Sequence, residues 1–462
     1  MLLQHFYDDK LAQASYLVGC QKTGEAIVID PSRSIAPYLE AAEKQGLTIT
    51  KALETHIHAD FVSGVRELND RAGATVVVSG YGAYTFPKEV DVLRVKDGDE
   101  LWVGHNRLDV LHTPGHTPEH VSYLLTDGAN PEAPIGLFSG DFLFVGDVGR
   151  PDLLEKAADQ PDTARQGAQD MFASLQKLEE LDGFVQVWPG HGAGSACGKS
   201  LGSVPSSTIG YEKKFNPALQ FSSRDAFIAF LLEGQPEPPV YFAEMKRINP
   251  GLVLPLSEER RKGILHARPG LAAALAADQE AVVIDTRPSP SAAAGFLPGS
   301  INLPYTPGFL QWFGWLVDYT KPHYFIAAPE LADALYDECA RIGIMPAGIF
   351  PPAAVKGSLH HIPQWTPEDL HADELVQAVD VRLDDEWEEG HVPGALHVKL
   401  HDIPERAGEV LDKEQPVHVY CLTGVRSAAA ASLLKNQGFR VIDTIGGLKG
   451  WRSRRLPEEA SH

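Results

Sequence analysis

His56 and His58, two residues apart after an apolar run, and Asp60 two residues further on, gather three metal-ligating side chains within THIHADFVSG. On an extended segment residues two apart project to one side, and the turn that follows can bring Asp60 back toward the same point. Three more polar clusters follow apolar runs. They are HTPGHTPEH with His112, His116 and His120; FSGDFLFVGDVGRPDL with Asp141 and Arg150; and VWPGHGAGSACG with His191 and Cys197. A single histidine in such a place is more often a satisfied structural residue than a ligand, but four clusters of one chemical kind at strand-like ends point to a metal centre. A second chemistry lies in VHVYCLTGVRSAAAASLLKNQG, which reads as a strand, a short loop opened by Cys421, and a helix. The loop residues Leu422, Thr423, Gly424, Val425 and Ser427 can aim N–H groups at the sulfur, and Arg426 adds a fixed positive charge. Both effects favour a thiolate, the helix N-terminus by ~0.3–1 kcal/mol. The same cradle suits a cysteine persulfide or an approaching anion, although comparable cysteine-to-arginine loops also serve phosphatases.

Residues 1–200 supply the strand ends that such clusters need. SYLVG, EAIVIDP, ITKALETH, TVVVSG and DVLRVKDGDEL are β-branched or alternating runs bounded by Gly, Pro and Asp, with a helix-like PYLEAAEKQG among them. Strand pairs with helices outside predict a two-sheet α/β sandwich rather than a doubly wound parallel sheet. Between about 217 and 265 the texture changes to an amphipathic helix, RDAFIAFLLEG, followed by proline-rich GQPEPPVYF and NPGLVLP and the charged SEERRKGI. A domain boundary is expected here, with the first part packed back on the metal domain to bury its phenylalanines and leucines. Beyond it lies a repeat: Asp285, Arg287, Pro298 and Gly299 recur 95 residues later as Asp380, Arg382, Pro393 and Gly394. Each copy alternates strands and helices around a mainly parallel sheet. The position equivalent to Cys421 in the first copy is Ile326, and Cys339 falls too late, inside a helix-like run, so that copy lacks a nucleophile.

THIHADFVSG, TPGHTPEH, SGDFLFVGDVGRPDL and PGHGAG together resemble the metallo-β-lactamase superfamily, and within it the persulfide dioxygenases. GDVGRPDL is the most specific segment, and the likeness covers roughly residues 1–245, including STIGYEKKFNPAL. The superfamily motif His-x-His-x-Asp-His ends in a histidine of a second metal position; Phe61 stands there in this chain and has no lone pair to offer. The resemblance implies an αββα sandwich with one Fe(II), or Zn in the protein as isolated, held by His56, His116 and Asp141. His58, Asp60 and His191 would lie near it. Two histidines and a carboxylate with open positions do suit non-haem iron and O2, whereas a four-ligand zinc site has no vacancy. Arg150, Cys197 and Tyr211, the last beside Lys213 and Lys214, are candidates for the substrate side.

CLTGVRS and the later GGLKGW resemble the rhodanese sulfurtransferases over residues 365–457, with Cys421 and Arg426 as the catalytic pair. The order of parts resembles persulfide dioxygenase–sulfurtransferase fusions. It divides the chain into 1–245 with an extension to about 262, an inactive rhodanese-like unit at 263–357 and an active one at 362–462. The implied activity is oxidation of a glutathione or coenzyme A persulfide by O2 to sulfite and thiol, coupled through a Cys421 persulfide to thiosulfate, or the reverse. A zinc-dependent glyoxalase II-like thioester hydrolase fused to a rhodanese is the alternative. Asp60 and His191 favour it; Phe61 and GDVGRPDL oppose it.

Composition sets the limits. At 462 residues two to four domains are expected, and 44% hydrophobic with 22% charged residues is the balance of a globular protein. A formal charge of −22 argues against nucleic-acid and anionic-membrane partners. No apolar run is long enough to cross a bilayer and MLLQHFYDDK is charged, so a cytoplasmic location is expected, with a homo-oligomer as the expected assembly. Cys20, Cys197, Cys339 and Cys421 form no disulfide framework by spacing.

Overall fold

The computed structural model describes residues 1–158, 162–256, 270–278, 280–373 and 377–460. They fall into two compact units, Met1–Arg260 with Ala340–Gly343, and Arg261–Cys339 with Ile344–His462. The SEERRKGI segment, on which the sequence places the domain boundary, lies outside the described residues.

The first unit is a sandwich of two six-stranded sheets with helices on both outer faces. One sheet runs Leu2–Asp8, Gln13–Cys20, Glu25–Ile29, Thr48–Leu53, Thr75–Ser79 and Val92–Val95 in order. It is antiparallel through its first three strands and parallel thereafter. In the other, Ser207–Thr208, Gln186–Pro189, Gly136–Gly140, Val121–Thr126, Asn106–His112 and Glu100–Val103 follow one another, with only the Gly136–Gly140 and Gln186–Pro189 pair parallel. Val18, Ile27, Leu53 and Val77 meet Val110, Tyr123, Phe138 and Trp188 between the sheets. Strands covered on both faces lose their polar alternation, and Gln13–Cys20 is buried at every position. The helices Ala36–Lys44 and Val65–Ala72 cover the first sheet, and Thr163–Leu175 and Arg224–Leu232 the second. Phe227, Ile228 and Leu231 of the last helix are buried there, as their apolar stripe requires.

The second unit contains two parallel sheets. Ile301–Asn302, Val282–Asp285, His323–Ile326 and Gly348–Phe350 form one; Gln364–Trp365, Val441–Thr444, Val417–Tyr420, Gln377–Asp380 and Leu396–His397 form the other. The repeat in sequence is a repeat in register: Ile284 opposes Ile301 in the first sheet, and Val379 opposes Leu396 in the second. The Asp-x-Arg turns are likewise the same device, an ion pair of 2.6 Å between Arg287 and Asp285 and of 2.7 Å between Arg382 and Asp380.

His323, at the start of a buried strand, is held neutral: burial pushes its imidazole down to about 4 from 6.5. Protonation therefore favours the unfolded chain. As pH falls from about 6.5 to about 4 the second unit is expected to lose on the order of 3 kcal/mol from this group. Urea midpoints across that range check it; a His323→Gln variant with an equally steep pH dependence contradicts it.

Candidate metal centre and cysteine loop

The polar clusters of the first unit all sit where strands end. Asp30 follows Glu25–Ile29, His56 to Phe61 follow Thr48–Leu53, Asp141 follows Gly136–Gly140, and His191 follows Gln186–Pro189. His116 and His120 lie in the turn between Asn106–His112 and Val121–Thr126. Gly140 has a positive φ of 51°, and a Cβ there would come within 2.6 Å of Thr55 Oγ1 and 2.7 Å of His120 Nε2, so only glycine lets these segments meet.

Hydrogen bonds fix which nitrogen of each imidazole is bare. His116 Nδ1–H donates to the Arg150 carbonyl at 2.8 Å, and His191 Nδ1–H to the Ala12 carbonyl at 3.2 Å. Thr55 gives its hydroxyl proton to Asp30 Oδ2 at 2.9 Å, so its oxygen accepts from His56 Nδ1 at 2.9 Å. A carbonyl can only accept, which leaves the Nε2 lone pairs of His56, His116 and His191 aimed inward. Burial, the leading cause, drives the pKa of His56 and of His116 well below the ordinary imidazole value, which keeps those nitrogens unprotonated. His56 Nε2 lies 3.8 Å and His116 Nε2 3.6 Å from Asp141 Oδ2. These three ligand atoms lie within 4.8 Å of one another, and none of them has a hydrogen-bond partner among the described residues. Buried polar atoms left without partners are costly, and a cation satisfies all three at once. The donor set therefore fits a metal ion.

His58 is directed elsewhere. Its Nε2–H donates to Asp30 Oδ1 at 3.1 Å, and although burial lowers its pKa, the Asp30 charge and hydrogen bond outweigh that and raise it to about 9. That bond occupies Nε2, while Nδ1 of the same ring is buried without a hydrogen-bond partner among the described residues. Phe61 is buried with its ring 4.3 Å from that of His58. His120 Nε2 accepts the Asp141 backbone N–H at 3.1 Å and so fixes the start of that loop. His112 lies outside the cluster, stacked on Tyr81 at 3.8 Å.

Asp60, His191 and Cys197 form a second group whose ligand atoms also lie within 4.8 Å of one another. Arg150, a candidate for the substrate side, is fully buried: its guanidinium pairs with Asp152 at 2.7 and 2.8 Å and donates to the Ala196 carbonyl at 3.1 Å. It thus positions the metal-facing groups by orienting His116 and, through its N–H to the Cys197 carbonyl at 3.1 Å, the Cys197 loop. Tyr211, unlike Arg150, lies at the surface. It is 55% exposed, its ring tilted against that of Phe215 with centroids 4.8 Å apart, because the helix Ile209–Phe215 turns this face to solvent while Ile209 and Glu212 face inward. Cys20 ends a strand in the core, and Cys339 is buried in the helix Ala332–Arg341.

Several positioning groups escaped the sequence. Asp30 had the same strand-end signal as the others, in EAIVIDP, but no histidine beside it. Asn249 carries no such signal. It follows the helix Tyr241–Ile248, which the proline-rich reading overlooked, and its amide donates to the carbonyls of His58 and Phe61 at 2.8 Å each. Lys246 of the same helix donates to the Ile57 carbonyl.

In the second unit Cys421 follows the strand Val417–Tyr420 and precedes the helix Val425–Asn436. Its buried sulfur accepts the Gly424 N–H at 3.1 Å. Leu422 and Val425 are half-buried and Thr423 is exposed. The GGLKGW segment secures the loop from behind, Leu448 N–H donating to the Cys421 carbonyl at 2.7 Å and Lys449 N–H to that of Leu422 at 2.9 Å. Gly447 has φ 54°, and a Cβ there would lie 2.2 Å from the Cys421 carbonyl oxygen. Two side chains of the loop have partners of their own. Arg426 is not a free charge: it forms a two-pronged pair with Glu386 at 2.5 and 2.7 Å and lies 4.2 Å over Trp312 of the first repeat. Ser427 donates its hydroxyl proton to Asp443 at 2.7 Å rather than to sulfur. Ile326, at the first repeat's equivalent position, ends a strand and is buried.

The profile of the metallo-β-lactamase superfamily matches residues 8–191, and that of the rhodanese-like domain residues 363–454. A hydroxyacylglutathione hydrolase of Rhodospirillum rubrum is 36% identical over 176 residues, 38% of this chain and 60% of that protein, so the match spans less than two thirds of its length. One from Rhodopseudomonas palustris (strain BisB18) is 33% identical over 235 residues, 51% of this chain and 80% of that protein. A crystal structure of a metallo-β-lactamase from Staphylococcus aureus is 41% identical with a TM-score of 0.67, covering 76% of this chain and 99% of that chain. The chain belongs to the metallo-β-lactamase superfamily and carries a C-terminal rhodanese-like domain.

Asp152→Ala leaves the buried Arg150 guanidinium without its carboxylate, an expected loss of ~3–5 kcal/mol. Urea unfolding followed on the first unit reads it; a loss below ~1 kcal/mol contradicts the role given to the pair. Gly447→Ala is expected to displace the Cys421 loop and slow alkylation or persulfidation of Cys421, read by mass spectrometry; an unchanged rate contradicts it.

Proposed function

We propose that the chain oxidises the terminal sulfur of a low-molecular-weight thiol persulfide with O2 and passes sulfane sulfur through Cys421. The observation that carries this reading is the triad His56, His116 and Asp141, three inward-facing ligands with Phe61 where a further imidazole would extend the set. Fe(II) bound by that triad would keep positions for O2 and for the persulfide sulfur. Overall, R–S–SH, O2 and H2O give R–SH, sulfite and two protons.

The chain's own residues supply order and dryness. Thr55 and the Arg150 carbonyl hold the two imidazoles in register, His120 fixes the backbone of Asp141, and Asn249 holds the loop from His58 to Phe61. In the second unit the Gly424 amide faces the Cys421 sulfur and stabilises negative charge on it, while Glu386 and Trp312 fix Arg426 beside the loop. A Cys421 persulfide attacked by sulfite gives thiosulfate and returns the thiolate, and the reverse transfer loads Cys421 from thiosulfate. Glutathione and coenzyme A persulfides are the proposed substrates, with a homo-oligomer in the cytoplasm as the proposed setting. Among the described residues no helix is long and apolar enough to cross a membrane.

A zinc-dependent thioester hydrolase is the second reading. It is favoured by the retained Asp60 and His191, which face each other at 3.3 Å, and by the hydrolase names of the two relatives described above. Oxygen uptake on glutathione persulfide separates the two. Iron-loaded protein is expected to consume one O2 per persulfide, and His116→Ala to lose both iron and uptake. Zinc-loaded protein that hydrolyses a glutathione thioester, with no uptake in the iron form, overturns the proposal. Cys421→Ser is expected to leave oxygen uptake intact and turn the product from thiosulfate to sulfite; thiosulfate at the wild-type rate refutes the coupling.

A further inference from the structure

Arg150 is buried against Asp152 and Tyr211 faces solvent, so neither supplies a seat for a substrate beside the triad. A cavity of about 490 Å³ lies instead against the metal-ligand loops. It is lined by Ile57, between His56 and His58, by Pro118 and Glu119 of the turn that carries His116, and by Lys246 and Arg247 of the helix Tyr241–Ile248. That size suits a small molecule. Glu119 and Lys246 are both buried, and both are anchored on Ile57: Glu119 Oε1 accepts the Ile57 N–H at 3.0 Å, and the Lys246 ammonium donates to the Ile57 carbonyl. Burial lowers the Lys246 pKa, and Glu119 is the foremost charge opposing that shift, which puts the two within electrostatic reach. Neither is hydrogen-bonded to the other among the described residues. One carboxylate oxygen and two ammonium N–H groups thus remain for a ligand, side by side. Arg247, 62% exposed, is paired with Glu244 at 2.5 and 2.7 Å.

We propose that this cavity seats the carrier part of the persulfide and selects carriers that end in a free α-amino acid, as the γ-glutamyl head of glutathione does, Glu119 meeting the ammonium and Lys246 the carboxylate. An ammonium and a carboxylate on one carbon match the two charges held on one residue's backbone. The inference rests on the reading of the chain as acting on a thiol persulfide, and it decides between the two carriers named there. Coenzyme A has no amino acid head. Its phosphates would meet the Glu119 carboxylate, a Lys246 bonded to Ile57 and an Arg247 paired with Glu244. A buried carboxylate repels such anions, and a site built to bond one polar group rejects carriers that lack it. The helix that brings Lys246 lies beyond the residues that the superfamily profile matches. Ile57 joins this seat to the chemistry, because the residue that fixes both charges adjoins His56 of the triad.

The test uses the full-length, iron-loaded chain. Oxygen uptake is measured on glutathione persulfide, on the persulfide of N-acetylglutathione, which lacks the ammonium, and on coenzyme A persulfide, and glutathione binding is followed by calorimetry. The expected KM is lowest for glutathione persulfide and at least about tenfold higher for the other two. Glu119→Gln keeps an oxygen for the Ile57 N–H and loses only the charge. It is expected to raise the KM for glutathione persulfide and the Kd for glutathione at least about tenfold, with kcat within about twofold. Iron content and the KM of the acetylated substrate stay unchanged, whereas a merely structural role would move both substrates alike. Equal KM values for the free and acetylated substrates, a Glu119→Gln variant that moves both or neither, or a lower KM for coenzyme A persulfide overturns the seat and leaves the dioxygenase reading standing. No uptake on any persulfide, with glutathione bound by the wild type and weakened by Glu119→Gln, refutes the dioxygenase reading and leaves the seat standing.

Discussion

The direction of three imidazoles is the constraint on which the first unit depends. His56, His116 and His191 each spend Nδ1 on an oxygen outside the cluster, Thr55 Oγ1, the Arg150 carbonyl and the Ala12 carbonyl, and each therefore turns a bare Nε2 toward Asp141. Much of the surrounding structure maintains those bonds. Asp30 orients Thr55, the Arg150–Asp152 pair holds the segment whose carbonyl meets His116, and Gly140 lets the strand end approach closely enough for His120 to hold Asp141. A cluster of inward lone pairs and carboxylates without donors is unfavourable by itself, and its cost is what metal binding offsets.

Asp30 also decides how the cluster is divided. Its hydrogen bond of 3.1 Å engages Nε2 of His58, the second ring of the His-x-His pair, and Phe61 stands where a ligand would follow Asp60. What remains is a triad around Asp141 Oδ2 and a smaller group beside Asp141 Oδ1. The spacing of His56 and His58 in sequence suggested one shared role; the hydrogen bond at the second ring separates them.

Strand ends were legible because the residues there break the apolar pattern at four places, and the 95-residue repeat carried over into strand register. Hydrogen-bond direction was not legible. Backbone carbonyls such as those of Arg150 and Ala12 leave no trace in residue type, and Asn249 acts across a separation in sequence that no motif spans. The partners of the buried charges were not legible either: Arg150 pairs with Asp152, and Arg426 with Glu386 over the Trp312 ring. Tyr211, an aromatic beside lysines in sequence, lies on the solvent face of its helix.

On the proposed function the triad binds iron through nitrogen and oxygen alone, with Cys197 outside its coordination. X-ray absorption at the iron edge of the Fe(II)-loaded chain measures this directly. A first shell of nitrogen and oxygen with imidazole scattering from two histidines, unchanged in Cys197→Ser, is the result expected. A sulfur scatterer at about 2.3 Å that disappears in Cys197→Ser would show that the two groups of ligands are one site, and the division built on Asp141 would be wrong.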